Sequence, residues 1–443
     1  MRFLRNLSRV LLLALVLMLL STVVSYAQEG GTLADSVPAA ALDSAPAIEW
    51  VNLVYDRIFA DSVSAPAASR LYGYMTITLY AAAFPGMPGN NSLAGQLNGL
   101  TELPVPAEDA VYDWDASVDA ALKAVLSGLF AASADSVAAY SDLYDAHIAA
   151  REAATSAEVV ARSVAFGEAT GAALLAWIAT DGFAERSTDY VVPTDDPSTW
   201  VPLNENQRAV EPQWGTIRTT VLEDPTICDV PNDVPFSAEE NSVFYAQAME
   251  VMVVGQNLTD EQRQIAEYWI DTPGQSGTPA GHWVHIVEDL IIQEGFTLEN
   301  AAELYAMTGT TLMDSFIATW NYKYRFPQIR PLTYINQHIN PRWQTYLQTP
   351  GFPEYPSGHS VVSGAAATVM TSYFGGPRAF TNTNITPSGE VTRSFTSFWS
   401  AANEAAISRM YGGIHFRAAI ENGVEMGRCI GNYIASSLVL NAE

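Results

Sequence analysis

The chain has 443 residues, 49% of them hydrophobic and 11% aromatic, enough to bury one large core or two modest ones. Its formal net charge of −27 argues against nucleic acid and anionic membrane surfaces as partners. An anionic substrate is disfavoured too unless positive charge is gathered locally, so the positions of the only two lysines, Lys123 and Lys323, carry information.

The first 27 residues read as a secretory leader. Arg2, Arg5 and Arg9 precede the apolar run "VLLLALVLMLL", and "SYA" places small residues before a cleavage point near Ala27. The run is shorter than the roughly 20 apolar residues a spanning helix needs, and no later stretch reads as a membrane span. The expectation is a secreted or periplasmic protein without a stable membrane anchor. Residues 28–44 are small and polar and read as a flexible new N-terminus.

From Ala45 the pattern is helical. Apolar residues recur at three and four positions in "IEWVNLVYDRIFADS", and "AASRLYGYMTITLYAAAF" follows Pro66. A further block spans Trp114 to Phe130, and two more helices follow as a pair. In the second of that pair Gly167 and Gly171 stand four apart. No strand precedes them, so close helix packing is their expected role rather than nucleotide binding. Residues 183–240 lose periodicity and gain proline and aspartate, which marks a long surface excursion or a boundary between two helical halves.

Helices resume around Asn241, near Thr259 and from Gly281. "NAAELYAMTGTTLMDSFIATWNYKYRF" is the strongest of them, and others follow His359, cover "FTSFWSAANEAAISRMY" and run from Phe416 to Leu438. Few segments alternate as strands do. The fold class is therefore all-α over residues 45–443. Cys228 and Cys429 can form one disulfide but no thiolate metal site or redox motif, and a structural bridge is the preferred reading.

Three short segments of the C-terminal third carry chemistry. In "WNYKYRFPQIRPLTY", Lys323 and Arg330 stand seven apart with Pro331 next, and the prolines hold the helix exit extended so that Arg330 can turn back. In "EYPSGHS", Ser357, Gly358 and His359 open a helix, whose N-terminus exposes unpaired N–H groups and suits an anion. In "ISRMYGGIHFRAA", Ser408 and Arg409 precede His415 across a Gly412–Gly413 turn. Each segment alone has a plain structural explanation. Together they supply one lysine, two arginines, a helix N-terminus and two histidines, a set suited to a tetrahedral oxyanion.

The order Lys-x6-Arg-Pro, Pro-Ser-Gly-His and Ser-Arg-x5-His resembles the superfamily of type 2 phosphatidic acid phosphatases and vanadium-dependent haloperoxidases. The motifs cover residues 320–420. "ASRLYGYMTITLYAA", "EPQWGTIRTTVL" and "AGHWVHIVEDL" extend a weaker similarity to soluble bacterial haloperoxidase-type members. The resemblance implies a helical bundle, with two packed halves. It implies that Lys323, Arg330, Ser357, Gly358 and Arg409 hold the oxygens of vanadate or phosphate, with backbone N–H groups of Ser357 and Gly358 completing the cradle. His415 would be the metal ligand in the oxidases or the phosphorylated nucleophile in the phosphatases, and His359 the acid/base residue. Lys323 would polarise bound peroxide.

The expected partners are hydrogen peroxide and a halide, or a phosphate ester if the chain is instead a secreted acid phosphatase. A non-catalytic oxyanion binder is the third reading. One departure bears on the choice. Where the family often has an aspartate four residues after the second histidine, this chain has Ala419, and only Glu421 or Glu425 stand nearby as substitutes. That absence weighs against phosphoryl transfer. Trp320 and Phe352 match aromatic positions near the oxidases' halide pocket, and each also suits a plain core role. His147, His282, His285 and His338 lie outside the motifs, with structural or pocket-wall roles expected.

Overall fold

The computed structural model describes residues 31–193 and 195–441, and the leader lies outside them. Helices dominate, as the periodicity requires. They are α1 (Ala45–Ala60), α2 (Ala65–Ala83), α3 (Trp114–Leu129), α4 (Ala134–Ala154), α5 (Ala157–Ile178), α6 (Val243–Gln256), α7 (Asp260–Tyr268), α8 (Thr278–Glu294), α9 (Leu298–Arg325), α10 (Pro331–His338), α11 (Gly358–Tyr373), α12 (Phe398–Tyr411) and α13 (Arg417–Ser437). Short polar residues start many of them. Asp113 and the serines at 64, 133, 156, 242, 357 and 397 each accept a hydrogen bond from an N–H of the first turn, and Thr259 forms a full capping box.

α9 is buried almost end to end, packs on α2, α8 and α11, and serves as the central post. The N-terminal half adds α3 packed on α5. The C-terminal half packs α11 against α12 and α13. One hydrophobic cluster runs through both halves, from Ala39 to Leu440. The two halves thus share a core.

Gly167 and Gly171 have the packing role their spacing suggests. A Cβ at Gly167 would sit 2.2 Å from the Ser117 carbonyl oxygen, so only glycine lets α5 lie so close to α3. By length and composition α5 could cross a membrane, contrary to the sequence reading, but it is partly buried against α3.

Four expectations are revised. The segment before α1 is not free: Ala39 is fully buried and the Leu42 carbonyl accepts from the Leu298 N–H, 3.0 Å. Among its described residues the 183–240 excursion carries one helical element, a 3-10 turn at Trp214–Thr216, as its lost periodicity implies, yet it is not confined to the surface. Trp200, Trp214 and Leu222 are buried, and the Asp314 carboxylate of α9 accepts the N–H groups of Thr220, Val221 and Leu222 at 2.6–2.9 Å. A short helix, α10, begins at Pro331 where only an extended exit was read.

The fourth is an antiparallel hairpin, β1 (Phe380–Thr386) with β2 (Gly389–Phe395). Its inward residues are Phe380, Asn382, Asn384 and Thr386, so the face that is buried is largely polar and shows no hydrophobic alternation.

Cys228 and Cys429 are joined, with Cα atoms 5.6 Å apart and a sequence separation of 201. The bridge ties the excursion to α13. Chain-entropy arguments give up to ~5 kcal/mol for so long a loop. Reduction, or Cys228→Ser, is therefore expected to lower the melting temperature by several degrees while leaving far-ultraviolet circular dichroism unchanged; an unaltered melting temperature would show that the bridge adds nothing.

Candidate active site

The three motif segments meet at helix ends. Lys323 sits in the last turn of α9, and Arg330 occupies the N-cap position of α10. Ser357 caps α11, with His359 in the first turn. Arg409 lies in the last turn of α12, and a tight turn with Gly413 at φ +76° delivers His415 just before α13. Lys323, Arg330, Arg409 and His415 are all at most 2% exposed.

His415 is held from both sides. Its Nδ1 lies 2.8 Å from Glu354 Oε1, and Arg330 Nη1 lies 3.2 Å from its Nε2. The carboxylate requires the hydrogen on Nδ1, which leaves the Nε2 lone pair to accept from Arg330. Burial, then the charges of Arg330, Lys323 and Arg409, push the imidazole well below its ordinary pKa, so it is neutral.

Glu354 supplies the carboxylate that Ala419 lacks. It is fully buried, and Oε1 also accepts the Phe416 N–H at 2.9 Å while Oε2 accepts from Gln328 at 2.8 Å. Burial raises its pKa to about 7 against the pull of Arg330. Neither Glu421 nor Glu425 takes this role: the first pairs with Arg417 and the second with Arg428, both exposed. The signal for Glu354 was its place two residues before the Pro-Ser-Gly-His motif, but local spacing does not show that the segment folds back onto His415.

The cations are placed as a cradle. Arg330 Nε donates to the Phe352 carbonyl at 2.9 Å and Nη1 to that of Ile414 at 2.8 Å, whereas Nη2 is buried without a partner. Arg409 donates to Ser408 Oγ at 2.9 Å and to the Trp269 carbonyl. Burial lowers both guanidinium groups to about 10.

Lys323 departs from expectation. Its three hydrogens go to the carbonyls of Pro353, Glu354 and Pro356, at 3.0, 3.0 and 2.5 Å, so it braces the loop before α11 and acts as a point charge. Burial and Arg330 push its ammonium well below the usual pKa. Ser357 departs as well, because its N–H is taken by the Ala419 carbonyl at 3.0 Å. The backbone donors left at this helix start are the N–H groups of Gly358 and His359, and a Cβ at Gly358 would meet only Trp320 Cζ3, at 3.7 Å.

His359 faces Asp271, with Nε2 3.3 Å from Oδ2. Burial and Arg409 lower its pKa to about 4, and Asp271 pulls the other way. Trp320 and Phe352 lie together, ring centroids 5.0 Å apart, and Phe352 also stacks near Lys323 and Arg330. Both rings thus lie beside the cations of the cradle.

The remaining histidines do not enter the cradle. His147 bonds Asp119 and Glu49, His285 stacks on Tyr55 at 3.6 Å, and His338 packs on Tyr334. His282 lies behind His359 and bonds Asp271. The described residues hold no cluster suited to a metal cation.

An oxyanion fits this donor set. Three buried cations face two buried carboxylates, Glu354 and Asp271, and an unpartnered guanidinium hydrogen and a free helix N–H complete the donors.

The family model for the VCPO second helical-bundle domain matches residues 336–440. Vanadium chloroperoxidase of Curvularia inaequalis is 26% identical over 215 residues, a match that covers 34% of this chain and 35% of the relative. The match therefore spans about a third of that curated relative. The crystal structure of the first bacterial vanadium-dependent iodoperoxidase superposes with a TM-score of 0.83 at 34% identity, over 91% of this chain and 98% of that one. A holo-type bacterial vanadium-dependent chloroperoxidase shares the fold, with a TM-score of 0.65 at 16% identity over 85% and 93% of the chains.

The cradle is testable with inorganic phosphate. Arg330→Ala removes charge-assisted donors worth roughly 1.5–3 kcal/mol each, so phosphate affinity measured by calorimetry is expected to fall about 100-fold. Affinity unchanged in that variant would place the oxyanion elsewhere.

Proposed function

This chain belongs to the vanadium-dependent haloperoxidases, and from that premise we propose that it oxidises halide with hydrogen peroxide at a vanadate held on His415. The observation that carries this reading is the neutral His415, bonded through Nδ1 to Glu354 and offering Nε2 among three buried cations. Bound there, vanadate supplies the Lewis-acid centre that activates peroxide towards halide.

The chain's own residues do the rest. Arg330, Arg409, Lys323 and the Gly358 N–H compensate the oxyanion's charge, in a site dry enough for each to count far more than in water. Glu354 holds the His415 ring and its tautomer. His359 takes a proton from incoming peroxide and returns it to a leaving oxygen. It is neutral above about pH 4, so activity is expected to be lost as pH falls through that value and His359 becomes protonated. Trp320 and Phe352 exclude water and offer halide an aromatic wall. Iodide is the halide to try first, since the relative that is 34% identical is an iodoperoxidase.

Acid phosphatase action remains as a second reading on one observation. Glu354 restores the carboxylate partner that a histidine nucleophile needs, so Ala419 no longer counts against phosphoryl transfer. Export is part of the proposal too, supported by the leader-like N-terminus and the Cys228–Cys429 bridge, which suits an oxidising compartment.

Purified mature protein assayed with and without orthovanadate separates these readings. Vanadate-dependent iodide or bromide oxidation, lost in His415→Ala, is the expected result. Hydrolysis of a nitrophenyl phosphate that vanadate inhibits, without halide oxidation, would replace it with the phosphatase. Glu354→Gln is expected to reduce vanadate affinity or turnover roughly 10–100-fold, the usual effect of losing a carboxylate behind a metal-bound histidine.

A further inference from the structure

Behind His359 lies a chain of buried polar groups that the reaction above leaves without a role. Asp271, in the turn between α7 and α8, is 4% exposed and has a backbone φ of +45°, a region that non-glycine residues seldom occupy. Its Oδ1 lies 3.0 Å from His282 Nδ1, and its Oδ2 lies 3.3 Å from His359 Nε2. Oδ2 and Nε2 are both fully buried, and neither has an aligned hydrogen bond to any described group. Their 3.3 Å approach is the charge pairing that each makes. The His359 side chain is nonetheless 16% exposed, so part of the ring other than Nε2 is open.

The far end of the chain is fixed with equal care. His282 Nε2 lies 3.1 Å from Asn382 Oδ1 on β1. That oxygen also accepts from Tyr268 at 2.6 Å, while the Asn382 amide nitrogen donates to Asp289 at 2.7 Å, which sets the amide's orientation. Asn384 Nδ2 comes within 3.3 Å of His282 Nδ1 but spends a hydrogen on the Tyr268 carbonyl at 2.7 Å. Both ring nitrogens of His282 thus face oxygen acceptors, but Asn382 Oδ1 is already taken by the Tyr268 hydroxyl and Asp271 is a carboxylate, so the hydrogen of the neutral ring belongs on Nδ1, towards Asp271. Trp269 stacks on the His282 ring at 4.3 Å and prevents it from turning.

We propose that Asp271, clamped by His282, fixes His359 with its hydrogen on Nε2 and so presents Nδ1 as the proton acceptor of the site. The unit is a His–Asp–His chain that runs from the β-hairpin through the α7–α8 turn to the start of α11. Asp271 and His282 are positioning residues and touch no substrate. The charged and titratable groups that face His359 are Asp271 from the turn, Arg409 from α12 and His282 from α8. Asp271 is the only anion among them. Burial alone would raise its pKa, but His282 and then His359 outweigh this and hold it ionised. The assignment rests on His359 being the acid/base residue for its consequence in catalysis, though the tautomer itself does not.

Asp271→Asn gives a signed test. The His282 Nδ1–H claims the carboxamide oxygen, which turns the amide NH2 towards His359 Nε2. A donor there drives the ring hydrogen to Nδ1, the wrong tautomer for a base at that atom.

The readout is nitrogen-15 NMR of histidine-labelled mature protein without vanadate, with His359 assigned by its absence in His359→Gln. The wild type is expected to show the Nε2–H form between pH 6 and 8, and Asp271→Asn the Nδ1–H form. A wild-type ring carrying its hydrogen on Nδ1, or a variant that keeps it on Nε2, would overturn the proposal. Should Asp271→Asn not fold, the wild-type spectrum decides alone.

In halide oxidation the same variant is expected to lose roughly 10²–10⁴-fold in kcat, with vanadate affinity within about threefold of wild type. The two readings fail separately. A tautomer switch in a protein without haloperoxidase activity would sink the proposed function and keep this chain. Full activity together with an unchanged tautomer would do the reverse.

Discussion

Glu354 connects more of the site than any other residue. Its carboxylate accepts from His415 and from the start of α13, its carbonyl accepts from Lys323 at the end of α9, and its N–H donates to the Gln328 carbonyl between α9 and α10. Three segments distant in sequence are thereby locked around one buried carboxylate. A charge so deeply placed survives only where partners compensate the lost hydration, and Arg330 and Lys323 do so. The cations in turn need Glu354. Removal of one partner would leave the others buried and unpaired, so the cradle and the fold around it stand or fall together.

That mutual dependence explains what could be read in the sequence and what could not. The helices were legible because α1, α3 and α9 carry apolar residues at helical intervals and several starts carry an explicit cap. Lys323, Arg330, Ser357, His359, Arg409 and His415 were legible because each lies in a short motif whose spacing survives in one dimension. Glu354 was visible but mute. Its partner lies 61 residues away, and only the packing of α11 on α13 brings them together. Asp271 was hidden for the same reason, being 88 residues from His359 in sequence (359 − 271) and next to it in space. The hairpin escaped because its inner face is built from asparagine and threonine, which serve hydrogen bonds instead of a hydrophobic core.

The hairpin's polarity follows from its position. A hydrophobic inner face would pack well against α8, but it would leave buried His282 Nε2 and half-buried Asp289 without these hydrogen bonds. Asn382 meets both with one side chain, oxygen towards His282 and nitrogen towards Asp289. The element least typical of an all-helical chain is thus where buried polar groups behind the site find their complement. The long excursion solves a similar problem. Its three successive N–H groups at Thr220, Val221 and Leu222 cap the Asp314 carboxylate in the middle of α9, and the Val210 carbonyl accepts from Trp320 and Tyr324. Irregular backbone is used here to satisfy polar atoms on the post that carries Lys323.

The chain's strong negative charge is not at odds with an oxyanion site. Exposed carboxylates act through water and salt, where their influence decays over about 8–10 Å. Lys323, Arg330 and Arg409 act within hydrogen-bond distance and from a dry interior, where the effective dielectric is several-fold lower. Burial lowers the proton affinity of all three, most clearly that of Lys323, so the site without an anion is electrostatically strained. A bound oxyanion relieves the strain and pulls those affinities back up. Affinity for such an anion is therefore set by the desolvation of a few cations, and the surface charge of the remaining chain contributes little to it.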